Sequence, residues 1–331
     1  MPDMVVKLAA KNGIPLPQNL FNADRTGYTW DTDGTAASSL VGFLSAYDIA
    51  TSVIKTPDDY AEITYDYLTR AAKEGCIYAE ITTSADHAQQ VGISYEEMCA
   101  AIAQGYEKAK AETGIEMRMI PTVVRHYGPD KALEMAHVVA DHPHPLATAV
   151  GMAGNENAFT VADFKPAFEA MGLSLRTAHA GEAAGPESVR AARDVLGVRR
   201  FGHMVRAIED PQLMQELKAM NAVPEICVSS NMSLKVYGDY ADHPLKKFFD
   251  AGLKIILGSD DPPFFGTSIG REYEIAHDKF GLTERDLIRI TRNAIEEAFV
   301  DEPTRARLLA KVDSLTPPAT GKKLDQRGPR Q

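Results

Sequence analysis

Thr177-Ala178-His179-Ala180-Gly181-Glu182 is the stretch whose reading decides the fold of this chain. The β-prone run Leu173-Ser174-Leu175 leads into it and predicts a strand. His179 then falls where that strand ends, and Glu182 follows on the turn. Two other segments repeat the arrangement. Arg200-Phe201-Gly202-His203 follows a short helical pattern, and Leu253-Lys254-Ile255-Ile256-Leu257-Gly258 runs into Ser259-Asp260-Asp261. Imidazoles and carboxylates delivered at successive strand ends predict a metal-assisted hydrolase built on a barrel.

Working outward, strand-like and helix-like patterns alternate. Strands are expected over 77–81, 117–123, 146–151, 173–179, 200–203, 223–228 and 253–259, with helices over 58–73, 94–112, 130–140, 163–171, 186–196 and 211–220. Ser94 with Glu97 forms a capping box at the start of one of them. Alternation of this kind means βαβ units and a parallel sheet. The expected fold class is therefore α/β, a (β/α)8 TIM-type barrel. A closed barrel needs eight strands and seven are found. The chain begins in a helical pattern, Met4 to Lys11, ending at Gly13, so the first strand is the one missing. Residues 1–315 are expected to form one catalytic barrel domain, and 316–331, rich in Pro, Gly and charge, a solvated tail. The Thr-, Gly-, Asp- and Ser-rich stretch 24–39 predicts a long loop acting as lid or binding wall.

Composition narrows the function classes. A chain of 331 residues that is 44% hydrophobic supports one large core. A net charge of −11 without a dense Lys/Arg block disfavours nucleic acid as a partner. No apolar run has the length of a membrane span, and Met1-Pro2-Asp3-Met4 lacks the basic segment of a signal peptide. Cys76, Cys99 and Cys227 are far apart and read as packing residues in a reduced, cytoplasmic protein. GxGxxG and Walker-type motifs are lacking, which removes support for dehydrogenase and kinase chemistry.

Each site residue also has a bland reading. His179 alone is as readily a hydrogen-bonded core residue as a ligand, Glu182 a helix cap, and His203 a structural residue. Asp260 and Asp261 together, after six residues of mostly apolar strand, must be solvated, paired or metal-bound. His142-Pro143-His144 has ligand-like spacing but precedes a strand, which puts it on the barrel floor, so it is read as a loop. His87 and His126 follow strands and could line the mouth. His137 and His277 fall within helical patterns.

Five ordered segments carry a family resemblance. They are Gly151-Met152-Ala153-Gly154-Asn155-Glu156, Thr177 to Glu182, Gly202-His203, Cys227-Val228-Ser229-Ser230-Asn231 and Ser259-Asp260-Asp261-Pro262. With them the chain resembles the adenosine deaminase family of metal-dependent amidohydrolase barrels, from Met4 to about Val312. The resemblance implies a zinc ion (Zn2+) and hydrolytic loss of the 6-amino group of a purine. His179 and Asp260 are then metal ligands, and a zinc-activated water attacks C6. Glu182 protonates N1 and so needs a raised pKa. His203 orients the water or takes its proton, Asp261 meets N7, and the backbone of Gly154 meets N3.

The family also brings two further ligands on a His-x-His strand ahead of the Met4–Lys11 helix, and no such segment stands in this sequence. Either the polypeptide is shortened at its start or it is a variant that has lost catalysis. Two protein ligands fall below the three typical of catalytic zinc, so little bound zinc and little turnover are expected of the chain as written.

The leading expectation is adenosine converted to inosine and ammonia. Ala153 to Glu156, Phe264 to Thr267 and Arg271-Glu272-Tyr273 favour the nucleoside. Free adenine is the runner-up on the same scaffold. A metal-free, inactive purine-binding relative is the alternative of another class, and the intact set at 179, 182, 203, 260 and 261 argues against it. The expected partner is a small purine nucleoside or base, with no nucleic acid and no membrane.

Overall fold

The computed structural model describes residues 1–315. The proposed tail, 316–331, lies outside the described residues. Seven parallel strands run in sequence order: β1 (Tyr78–Thr83), β2 (Glu116–Val124), β3 (Gly151–Ala153), β4 (Thr177–Ala180), β5 (Arg200–His203), β6 (Val223–Ile226) and β7 (Ile256–Leu257). Ladders join β1-β2-β3 and β4-β5-β6-β7. A parallel bridge between Val150 and Arg176 links the two groups. Helices cover the outside, as the alternating pattern requires. The fold is thus the barrel-type α/β architecture expected, and among the described residues no ladder closes β7 onto β1.

Most helix bounds agree with the periodicity. The helix Pro186–Leu196 matches residue for residue, and the Ser94/Glu97 capping box forms in both directions, with Glu97 N to Ser94 Oγ at 3.1 Å and Ser94 N to Glu97 Oε2 at 2.8 Å. Three strands start later than their apolar runs: Leu173-Ser174-Leu175 precede β4, which starts at Thr177 after a single bridge at Arg176. Residues 146–150 do pair, but through single bridges, Ala147 with Met119 and Val150 with Arg176. They change neighbour partway, so a continuous ladder starts at Gly151. The run 253–259 likewise forms a ladder at Ile256 and Leu257 alone.

The stretch 24–39 is a loop as far as Thr35. There the Thr35 hydroxyl accepts from Ser38 N (3.2 Å) and starts the helix Ala36–Thr51. This helix and the loop before it both pack beside the strand ends, and Tyr28 of the loop stacks on Phe264 at 4.0 Å between ring centroids. Phe43 lies 4.9 Å from Phe265 between ring centroids, and Tyr47 lies 5.5 Å from Phe264. Both partners follow Asp261 in the chain, so the helix forms an aromatic wall next to that carboxylate.

Candidate active site

Alternation along the strands sorts the inward side chains. Thr177 and His179 share one face of β4, and Arg200 and Gly202 one face of β5. A Cβ on Gly202 would stand 3.0 Å from the His179 ring, so the glycine makes room for the imidazole. At the C-terminal ends the chain turns sharply. His203, Met204 and Asp260 all have positive φ, at 63°, 59° and 53°. For non-glycine residues this costs about 1–2 kcal/mol each, and such strain concentrates where a side chain must be aimed.

His179, Glu182, His203, Asp260 and Asp261 come together, as the sequence implied. The rings of His179 and His203 are 5.1 Å apart between centroids. His203 Nδ1 lies 3.4 Å from Glu182 Oε1, and Nε2 lies 3.7 Å from Asp260 Oδ2. His179 Nδ1–H donates to the Met152 carbonyl at 2.9 Å. That bond fixes the tautomer and leaves the Nε2 lone pair free, the arrangement of a metal-ligating imidazole.

Two residues to which the sequence gave no role orient this set, together with Asn231. The His243 Nδ1 accepts from Leu245 N at 3.2 Å. Burial, reinforced by His203, pushes the His243 pKa down to about 3, so the ring is neutral and its proton sits on Nε2. That proton is donated to Asn231 Oδ1 at 3.2 Å. The amide is thereby oriented: Nδ2 donates to Glu182 Oε1 at 3.0 Å and faces His203 Nδ1 at 3.2 Å. Glu156 is the second support. Its buried carboxylate accepts from the backbone N–H groups of Gly181, Glu182 (3.0 Å) and Ala184 (2.8 Å) and from the Ser188 hydroxyl (2.5 Å). The turn carrying Glu182 is therefore pinned. Asn231 and Glu156 stand in the family-like segments, which gave a signal without a role; His243 gave none.

Electrostatics set the protonation states. Burial first, then Asp260, pushes the Glu182 pKa up to about 8, so it is a neutral acid at pH 7. Burial and Asp260 also raise the Asp261 carboxyl well above its usual range. The groups acting on Asp261 are carboxylates, and neither Lys nor Arg is among the groups acting on Glu182. A donor set of buried carboxylates and a tautomer-fixed imidazole, without a Lys or Arg against it among these groups, fits a divalent cation.

The remaining histidines separate. Gly154, with φ 94°, sits against His126; a Cβ there would meet Nδ1 at 2.7 Å, so the position demands glycine. His87 joins Tyr127 (3.1 Å) and Asp48 (3.4 Å). Tyr47, from the aromatic wall, is close enough to Asp261 to feel its charge. His142 and His144 flank Pro143 between a helix end and the residues before β3, while His137 and His277 lie on helices.

A parallel barrel that gathers imidazoles and carboxylates at its C-terminal strand ends defines a hydrolase of the metal-dependent amidohydrolase type. The profile described as adenosine deaminase matches residues 1–315, and the chain belongs to that family, which places it among the hydrolytic purine deaminases. It is 44% identical over 314 residues to an adenine deaminase of Agrobacterium fabrum, covering 94% of this chain and 93% of that one. An adenine deaminase of Sinorhizobium medicae is 42% identical over 312 residues, 93% of each chain. Among solved structures, the adenine deaminase of Arthrobacter aurescens superposes with a TM-score of 0.84 at 27% identity, covering 95% of this chain and 94% of that one. An amidohydrolase of Burkholderia ambifaria with bound zinc gives 0.82 at 26% identity, covering 94% and 86%. Three of these four relatives carry the name adenine deaminase, which favours the runner-up substrate over adenosine.

Proposed function

We propose that residues 1–315 act as one catalytic unit whose reaction is adenine and water to hypoxanthine and ammonia, slow in this chain because His179 and Asp260 are two metal ligands where catalytic zinc usually has three. The observation that carries this reading is Glu182: a buried carboxylic acid, neutral at pH 7, aimed by Asn231 at the point where His203 and Asp260 converge. Asn231 donates to Oε1, so the acid's proton belongs on Oε2, where it is free for transfer to purine N1. Protonation there lets C6 become tetrahedral. His203 stands next to Glu182 and orients the attacking water. Asp261, whose carboxyl burial and Asp260 push up, faces N7 and donates to it in its protonated form. The Gly154 backbone N–H meets N3.

His179 and Asp260 would hold the divalent metal, which we take to be zinc; when bound, such an ion brings the pKa of water toward neutrality. The aromatic wall supports adenine over adenosine. Tyr47, Phe43 and Phe264 close beside Asp261, on the five-membered-ring side of the purine, where a ribose would project. We place the reaction in the cytoplasm, in keeping with three free cysteines. Among the described residues no helix is long and apolar enough to cross a membrane.

An ultraviolet assay of adenine and adenosine, at equal enzyme concentration with zinc supplied, tests the reading. Faster turnover of adenine supports it. Faster turnover of adenosine overturns the substrate, and turnover of neither overturns the activity.

A further inference from the structure

Cys227 has no part in the proposed reaction, yet it stands among the site's donors. It follows the last residue of β6 and faces Gly258, just after β7, where a Cβ would be 3.1 Å from its Sγ. The bare backbone at 258 gives the thiol its place. His203, Cys227 and Asp260 each offer one ligand atom, and these three atoms lie within 4.8 Å of one another. His179 is not part of that triad.

We propose that His203, Cys227 and Asp260 form a second cation seat, selective for thiophilic divalent ions such as zinc and cadmium, whose occupation blocks turnover. The seat shares Asp260 with the position assigned above to His179 and Asp260. Its existence rests on this geometry, and its effect on turnover rests on the role given to His203.

The donor set is one sulfur, one nitrogen and one oxygen. A thiolate selects zinc-like ions over magnesium and calcium, which take oxygen ligands. A tetrahedral ion with N and O donors at about 2.0 Å and S at about 2.3 Å needs its donors roughly 3.3–3.8 Å apart. Closing the triad therefore takes side-chain shifts of roughly 1 Å. The ionisable groups acting on Cys227 are Asp260, Glu272, Glu225 and Glu182, all acidic. As the sulfur–metal bond forms, the thiol proton leaves to solvent. His203 must offer its Nε2 lone pair, so its ring proton moves to Nδ1, 3.4 Å from Glu182 Oε1. The Asn231 Nδ2 contact with Nδ1 is given up. Occupation thus withdraws His203 from the attacking water.

Cobalt(II) is the probe, because a cobalt–thiolate bond absorbs in the near ultraviolet and imidazole or carboxylate ligation does not. The whole metal-free chain is titrated with cobalt, with binding followed in parallel by equilibrium dialysis. The expected result is a charge-transfer band that saturates in the native chain, persists in Cys76→Ser and vanishes in Cys227→Ser. Cobalt binding without the band, a band that survives Cys227→Ser, or no cobalt binding overturns the seat. Should Cys227→Ser fail to fold, His203→Gln serves instead: the cobalt concentration that half-saturates the band should rise about tenfold or more. An unchanged midpoint overturns the seat. In the activity arm, excess zinc or cadmium should inhibit adenine turnover in the native chain and much less in Cys227→Ser. Equal inhibition overturns the blocking role. The spectrum needs no substrate, so the cobalt result stands or falls independently of whether adenine is turned over.

Discussion

Two sets of buried carboxylates sit at opposite ends of the barrel, and their protonation goes in opposite directions. Toward the N-terminal end, Glu80 on β1 and Glu225 on β6 both grip Arg200 on β5, at 2.6 and 2.5 Å. Glu80 also accepts from Phe299 N at 2.7 Å, and the Arg200 guanidinium lies 3.8 Å from the Phe299 ring centroid. Burial alone would raise the Glu80 pKa; Arg200 overrides it and holds the carboxyl below its usual value. At the C-terminal end, Glu182 and Asp261 have no such cation, and burial pushes both up. Burial is common to the two ends. The sign of the nearest partner decides whether a carboxylate becomes a fixed strut or a proton store.

The largest expected effect falls on the proton store. Glu182→Gln keeps the shape and the Asn231 contact but has no proton to give. Turnover should drop by roughly 10²–10⁴, the contribution of a positioned general acid, with metal content unchanged. A steady-state assay with metal analysis checks this. Near-native turnover with full metal would remove Glu182 from the reaction and make the two ends alike.

Arg200 is the matching probe of the strut. Arg200→Met leaves Glu80 and Glu225 facing each other without a cation. Breaking a buried pair by removing one partner costs about 3–5 kcal/mol. Denaturant melts should show that loss, while turnover per folded molecule stays near native. A loss below about 1 kcal/mol would mean the network behaves like a surface pair.

Only one of these ends was legible in the sequence. His179, Glu182, His203 and the Asp260-Asp261 pair announce themselves because each interrupts a strand at its C-terminal end. The Arg200–Glu80–Glu225 network gives no such signal, since Glu80 and Glu225 are 120 and 25 residues from Arg200 and each member sits inside a strand of ordinary composition. Asn231 was visible as a letter in a motif, but its work depends on His243, 12 residues on, through a tautomer fixed by a backbone N–H. The helix Ala36–Thr51 was half hidden by the polar stretch that caps it; Leu40, Phe43, Ala46 and Ala50 share its buried face, but Val41, Leu44 and Ile49 make its other faces apolar too and blur the pattern. The lean to adenosine read Phe264 and Phe265 as family markers. In the fold they pack against Phe43 and Tyr47 as part of the wall.

A smaller effect separates the two ends by pH. Glu182 titrates near 8 in the folded protein and near 4.5 when unfolded. Between those values the unfolded chain has lost the proton that the folded chain keeps, so the metal-free protein loses stability as pH rises. Two pH units are worth about 2–3 kcal/mol, so Glu182→Gln should gain about that much on wild type between pH 5 and 7. Glu80 has the opposite sign. Its folded pKa lies below the unfolded value, so its contribution is present above pH 4.5 and is lost as pH falls. Glu80→Gln should cost stability at pH 7, and the cost should shrink on acidification below pH 4.5. Melts with chelator present over this range check both. Parallel curves for wild type and Glu182→Gln between about pH 5 and 7 would contradict a raised pKa at Glu182.

The smallest effect lies one residue from the strut. Arg199 also pairs with a carboxylate, Glu297, and donates to the Asn221 carbonyl at 2.9 Å. Its side chain is 45% exposed, against 7% for Arg200. Water screens it, and Glu297 keeps Lys254 at 3.2 Å when Arg199 is removed. No carboxylate is left alone, so the penalty that makes Arg200 costly does not arise. Arg199→Ala should cost less than about 1 kcal/mol, and the loss should fade at high salt, where exposed charges are screened within a few ångströms. The same denaturant melts, run at low and high ionic strength beside Arg200→Met, provide the check. A loss at Arg199 equal to that at Arg200 would show that position along the strand, rather than enclosure of the ion pair, sets the cost.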